Sequence, residues 1–326
     1  MLPTFTHTKP TTIGQAVREL ASPGARIHAG GTDVLGCLRD GVFTATKLVS
    51  LNGLAELRGV SERPEGGLRI GALTTLAELA SNALVTARYH ALAAAAAAAA
   101  SPQLRNQGTI GGNLCQRPRC WYYRGDFPCA RKGGDTCFAK EGENQLHAIF
   151  GGDVCVMVHP SDTAPALRAL DASVRLIGPR GARTVGLDAF FVLPSKDYTR
   201  ETVVEPDEVL AEVLLPPPMA TAASTYRKVR ARGAWDFALA GAAVSLGLRG
   251  KKVERARIVL SGVAPVPWRV ELAERELVGH ELSDALIERS AQRAATGAAP
   301  LSGNAYKVAL VRGAVAEALS ELQAKG

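Results

Sequence analysis

The stretch from Gly108 to Asp162 sets the strongest limit on how this chain can fold. It opens on a glycine turn, GTIGGN (Gly108 to Asn113). It then carries five of the six cysteines, Cys115, Cys120, Cys129, Cys137 and Cys155, and closes on HPSD (His159 to Asp162). Gaps of four, eight, seven and seventeen residues separate the cysteines, with Arg117, Arg119, Arg124, Arg131 and Lys132 between them. Little periodic apolar character runs through the segment, so hydrophobic burial alone should not order it. Thiolates gathered around iron–sulfur or zinc would, because metal-binding free energy can fold a loop that has no core. A disulfide cage is the plainer alternative.

The opening residues MLPTFTHTKP show no basic region followed by an apolar run, so no export signal is visible in them. The tract Ala93 to Ala100 is too short and too weakly apolar to cross a bilayer. A reducing cytosol keeps thiols free, which shifts clustered cysteines toward metal binding. The spacing has neither the C-x2-C pair nor the paired histidines of structural zinc sites. It therefore favours a 4Fe–4S cluster, which accepts four thiolates at looser spacings.

At 326 residues the chain exceeds the usual ceiling for one core, and two or three domains are expected. The net charge of +7 raises nucleic acid or an acidic partner. However, the basic residues form no five- to eight-residue block, and aromatics make up only 5% of the chain. A solvated basic surface therefore explains the charge better than strand binding.

Taken in order, Thr12 caps a helix with apolar face Ile13, Ala16, Val17 and Leu20, stopped by Pro23-Gly24. A strand at Ala25 to Ala29 leads into Gly30-Gly31-Thr32-Asp33 and a helical run from Val34 to Leu38. Glycines between strand and helix let backbone N–H groups approach a phosphate, although one isolated pair is more simply a tight connection. Strands follow at Lys47 to Leu51 and around Leu68, Ile70 and Ala72, and Thr75 and Glu78 form a capping box. The alanine tract reads as a helix pressed close to neighbouring backbone. It leads to the second glycine turn, and two such turns suit a dinucleotide gripped at both ends of its pyrophosphate. Neither is a GxGxxG after a first strand, so a Rossmann domain is not supported.

Beyond the cysteines, Val154 to Val158 reads as a strand, HPSD as a turn and Pro165 to Leu170 as a helix. Val174 and Leu176 alternate as a strand, Asp188 opens a short helical element, and Val209 to Leu215 is a strand. Pro216-Pro217-Pro218 with MATAAS is the best domain boundary. The remainder reads as strands at Thr225 to Val229, Ala238 to Leu248 and Val253 to Val263, then helices near 271–279, 282–296 and 303–325. Val308, Val311, Val315, Leu319 and Leu322 form one stripe of the last helix. Strands followed by helices make an α+β unit. No HExxH or GxSxG pattern occurs, so hydrolase chemistry drops out.

AGGTD (Ala29 to Asp33), QLRNQGTIGGN (Gln103 to Asn113), HPSD, YRKVR (Tyr226 to Arg230) and SGVAPVPWR (Ser261 to Arg269) occur in this order. Together they resemble the FAD-binding subunits of the molybdenum hydroxylase family, of the xanthine dehydrogenase and aldehyde oxidoreductase type. The cysteine-rich loop resembles two branches, the periplasmic aldehyde oxidoreductases and the 4-hydroxybenzoyl-CoA reductases, and is more similar to the first. The resemblance implies an α+β chain with a two-part FAD-binding domain of the vanillyl-alcohol-oxidase/PCMH type over residues 1–218, carrying a 4Fe–4S insert at 115–155. A small C-terminal α+β domain of the CO dehydrogenase flavoprotein type, with a three-stranded sheet and helices, follows over 222–326.

By position, the resemblance places Arg26, Ile27, His28, Ala29, Gly30, Gly31, Thr32, Asp33 and Val34 around the FAD diphosphate, with Thr109, Gly112 and Asn113 as the second wall. Asp162 would accept a hydrogen bond from the cofactor, and Lys228 would reach toward the flavin. Without the resemblance, Lys228 is better read as a surface lysine on a strand. Cluster ligands fall at Cys120, Cys129, Cys137 and Cys155, leaving Cys115 as a non-ligand and Cys37 as a buried thiol. The loop arginines would offset thiolate and cluster charge, though a solvated basic face explains them almost as well. The implied function is electron transfer from the 2Fe–2S clusters of a small subunit to FAD and an external acceptor. A molybdenum-bearing large subunit would oxidise the organic substrate, an aldehyde. The same branch is exported folded on a partner's twin-arginine signal, so a periplasmic site is expected, with the cytoplasm as alternative. A zinc-stabilised binding module without redox function is the competing reading from another class.

Overall fold

The computed structural model describes residues 2–219 and 221–325. Ala220, inside the expected MATAAS boundary, lies outside the described residues. Three sheets organise the chain. The first is parallel and small, with β1 (Thr6–Thr8) and β2 (Ala25–His28) flanking β3 (Lys47–Ser50). The helix Ile13–Leu20 covers it with Ala16, Val17 and Leu20, and Thr12 accepts from Gln15 N–H at its start. The second sheet is antiparallel, in the order β4 (Val60–Glu62), β5 (Leu68–Gly71), β8 (Val209–Leu215), β6 (Ser173–Gly178) and β7 (Gly181–Gly186). The hairpin strand β7 escapes the sequence reading because its side chains are nearly all exposed and carry no burial pattern.

Between these sheets and the C-terminal region lies the helix His90–Ala98. Ala91 and Ala95 pack on Ala166, Ala169, Tyr226, Ala243 and Val259, so side chains of one carbon let the helix sit closely against its neighbours, as expected. The second glycine motif is not a loose turn. Thr109 accepts from Gly112 N–H at 3.2 Å and starts a short helix, Ile110–Leu114.

The C-terminal sheet runs β9 (Ala222–Val229), β10 (Ala240–Arg249), β11 (Lys252–Ser261) and β12 (Trp268–Arg269), all antiparallel. It has four strands rather than the expected three. The proline-rich turn before Trp268 returns the chain to β11 for two residues, too few to show an alternating pattern. Helices Glu271–Leu277, Asp284–Ala294 and Tyr306–Gln323 cover one face. The expected stripe is buried there, with Val311, Val315, Leu319 and Leu322 packed into the largest apolar cluster.

The expected strand Val154 to Val158 does not form. Gly151 adopts φ +60°, Ala148 N–H donates to Val156 O, and the segment folds back on itself instead of joining a sheet. Cys155, Val156 and Met157 are buried in succession, whereas a half-buried strand would alternate. Just upstream, Ile149 and Phe150 insert into the C-terminal core, and Phe150 stacks on Trp268 at 5.5 Å. The cysteine-bearing loop is therefore a seam between the two halves of the molecule. Among the described residues no helix is long and apolar enough to cross a membrane.

Candidate functional site

The two glycine motifs meet backbone to backbone. A Cβ at Gly30 would fall 1.9 Å from the carbonyl oxygen of Gln107, so only glycine permits the contact. Gly31 follows at φ +75°, a conformation other residues rarely adopt. Around this junction lies a cleft of ≈ 580 Å³. Arg26, Ile27, Ala29, Gly30, Gly31, Thr32, Asp33 and Val34 line one side, and Thr109, Gly111 and Gly112 another. His28, expected among them, does not line the cleft; its ring packs edge-on against His7 at 5.9 Å. A third wall comes from Asp197, Thr199, Arg200 and Thr202, which the sequence reading left without a role.

A neighbouring cavity of ≈ 300 Å³ shares Thr32, Asp33, Thr109 and Gly112 with the cleft and adds Asn113 and Asp162. Asn113 Oδ1 accepts from Ser161 Oγ at 2.5 Å and Thr163 Oγ1 at 2.6 Å, which ties the second glycine motif to HPSD. Asp162, 4% exposed, accepts from Lys228 Nζ at 2.8 Å and Tyr226 Oη at 2.7 Å. Burial pushes the Asp162 carboxyl upward, while Lys228 and Tyr226 act against it. Lys228 also donates to Ala98 O at 3.1 Å, at the end of the alanine helix. The lysine thus reaches across from the C-terminal domain, yet it touches Asp162 rather than the cavity itself.

The FAD binding domain in molybdopterin dehydrogenase matches residues 3–218. The chain belongs to the FAD-binding subunits of the molybdenum hydroxylase family. The CO dehydrogenase flavoprotein C-terminal domain matches residues 224–322. The aldehyde oxidoreductase FAD-binding subunit PaoB of Escherichia coli (strain K12) is 37% identical over 98% of this chain and 99% of its own. The carbon monoxide dehydrogenase medium chain of Hydrogenophaga pseudoflava is 31% identical over 99% and 98%. A solved structure of carbon monoxide dehydrogenase from that organism, lacking the Mo-pyranopterin moiety, superposes with a TM-score of 0.77 at 31% identity, covering 98% of this chain and 97% of that one. These relatives are subunits of oxidoreductases, and FAD is the cofactor that the matched domain binds.

Within this family member, the cysteine loop is held differently from expectation. The arginines do not chiefly offset the thiols; they are spent on carboxylates. Asp33 accepts from Arg119 Nη1, from Arg124 Nη2 at 2.8 Å and from the Arg117 backbone N–H at 2.8 Å. Burial alone would raise the Asp33 carboxyl, but these three outweigh it and hold it below the usual range. Glu201 accepts from both Arg117 and Arg131. Arg131 does lie near Cys155, where its charge favours the thiolate. Lys132 donates to Gly125 O at 2.6 Å.

Cys120, Cys129, Cys137 and Cys155 line one small cavity with Tyr123, Arg131 and Met157. All six cysteines are free, so the disulfide alternative is not formed. The neighbouring Cys155 holds the Cys137 thiol below its ordinary range, while burial pushes Cys120 up to about 11. His147 Nε2 lies 3.2 Å from Cys120 Sγ. Among the described residues no group of three or more His, Cys, Asp or Glu side chains stands in a metal-ligating arrangement. The four thiols are gathered round one space without being drawn into a ligand set. Cys115 lies elsewhere, in the wall of the glycine cleft, and Cys37 is fully buried with its pKa raised to about 11 by burial.

Proposed function

We propose that this chain is the electron-transferring subunit of a heteromeric, molybdenum-dependent aldehyde oxidoreductase, carrying FAD in the glycine cleft and a 4Fe–4S cluster among Cys120, Cys129, Cys137 and Cys155. The observation that carries the reading is the meeting of the two glycine motifs at Gly30 and Gln107, which makes one cleft from two distant segments. Bound FAD supplies the electron uptake and release. The chain's part is to bind and orient. Backbone around Gly30, Gly31 and Gly112 lets a diphosphate approach without a Cβ in the way. Asp162 faces the adjoining cavity with its charge balanced by Lys228, so the lysine acts on a bound group through that carboxylate.

Four thiols around one cavity fit an iron–sulfur cluster in donor type and number. The likeness to the aldehyde oxidoreductase subunit supports a large molybdenum-binding partner, a small 2Fe–2S partner and an external acceptor beyond the FAD. Periplasmic residence by co-export with a signal-bearing partner belongs to the same proposal. The test is anaerobic purification of the chain with its partners, followed by absorption spectra and analysis of iron, sulfide, zinc and flavin. Flavin bands are expected, with about four irons per chain beyond those of the partner's 2Fe–2S clusters. Flavin with no iron beyond the partner's 2Fe–2S clusters removes the cluster; zinc without flavin replaces the whole reading with a binding module.

A further inference from the structure

One carboxylate joins the glycine cleft to the thiol cavity. Glu201, with 4% of its side chain exposed, accepts from Arg117 Nη1 on one oxygen and from Arg131 Nη2 on the other. Arg117 lines the cleft, and Arg131 lines the cavity. Tyr123 reinforces the link: its Oη accepts from Arg117 Nε at 3.0 Å, and Arg131 sits 5.5 Å over its ring. Glu201 lies on the connection between Phe190 and β8, and Phe191 pairs with its neighbour Thr202 in an isolated bridge. Its position is set by the FAD-binding half of the chain and not by the cysteine loop.

A buried carboxylate shared by two guanidiniums works as a unit, because removing one member leaves an uncompensated charge in a dry site. Each guanidinium is a rigid planar fork, so the position of one restricts the position of the other. We propose that Glu201 is the positioning residue through which order in the cysteine loop is transmitted to the FAD cleft. Holding the loop around its thiol-bound group sets Arg131, and Glu201 then fixes Arg117 in the cleft wall. The inference rests on the proposed FAD and 4Fe–4S content, and it adds that the two sites are thermodynamically coupled.

The test is a double-mutant cycle on the anaerobically purified complex, reading FAD affinity by flavin fluorescence and iron content per chain. Cys137→Ser is expected to remove the cluster and weaken FAD binding about tenfold in the otherwise unaltered chain. In a Glu201→Gln background, the same cysteine change should alter FAD affinity less than about twofold, because the link is already cut. A tenfold effect that persists in both backgrounds overturns the proposal, since a merely structural Glu201 would leave the two losses independent. Unchanged FAD affinity after iron loss in the unaltered chain overturns it too. If the unaltered complex binds FAD but no iron beyond the partner's 2Fe–2S clusters, the cluster reading fails first and this inference goes with it. Should Glu201→Gln not fold, Arg131→Lys keeps the charge but not the fork, and must abolish the coupling in the same way.

Discussion

The cysteine loop at 115–155 and the C-terminal domain lie against each other, yet different forces hold them. The domain owes its order to apolar packing: the sheet face of β10 and β11 and the helix Tyr306–Gln323 bury one continuous cluster. The loop has only a small apolar cluster of its own around Tyr123 and Cys129. Beyond that, it inserts Ile149 and Phe150 into the C-terminal core and makes polar ties, to Asp33 and Glu201 on one side and to the C-terminal domain on the other. There Lys307 Nζ donates to Leu146 O at 3.1 Å, and Asn304 Nδ2 donates to His147 O at 3.1 Å. The contrast teaches that a segment with little core of its own can be placed by two anchoring side chains and by polar groups reaching in from both neighbours. It also implies that its stability is easily lost when a central ligand is removed.

Breaking the loop gives the largest expected effect. Cys137→Ser should raise the rate of limited proteolysis within 115–155 by about tenfold or more while the C-terminal domain stays protected. Equal protection of the loop before and after would erase the contrast. Next comes the packed side. Leu319→Ala removes a fully buried side chain, and a loss of about 2–5 kcal/mol in denaturant unfolding is expected, with iron content unchanged in the folded fraction. A loss of iron along with it would show that the two regions are not separate.

The seam itself should titrate. Burial depresses the His159 pKa to about 4, whereas an unfolded histidine titrates near 6.5. Between those values the unfolded chain binds the extra proton, so stability falls as pH drops through that window, at up to about 1.4 kcal/mol per pH unit. Replacing His159 with Gln should flatten that slope; an unchanged acid limb of the unfolding midpoint would place the titrating group elsewhere. The smallest effect belongs to a helix cap beside the second glycine motif, where Thr75 bridges to Thr109. Thr75→Ala removes the hydroxyl that accepts from Glu78 N–H at 3.1 Å in the capping box, and about 1 kcal/mol of thermal stability should be lost with the proposed FAD and iron contents intact.

How much of this could be read in the residues depends on whether the signal was local. Caps at Thr12 and Thr75, the helix of small side chains before Ser101, the strand Val209–Leu215 and the stripe from Val308 to Leu322 all announce themselves through spacing. The two glycine motifs and HPSD marked the cleft, since unusual backbone needs unusual residues. Glu201 left no such mark. It is one acidic residue in the polar run Lys196 to Glu205, and only its arginine partners, 84 and 70 positions earlier, distinguish it. The exposed strand β7 and the two-residue strand β12 were hidden for a similar reason, because neither carries its own burial pattern.

The sequence by itself determined the kind of parts: two glycine bends able to admit phosphate, a cysteine-rich insert with no core, and an amphipathic C-terminal domain. Each follows from local chemistry, from missing Cβ atoms, thiol spacing and apolar period. Only the tertiary structure decided which side chains meet across those parts. It gave the loop arginines to Asp33 and Glu201, set Asp162 between Lys228 and Tyr226, and turned His28 out of the cleft. Charge pairing in a buried space depends on distance and desolvation, and both are properties of the folded chain that no short stretch of residues carries.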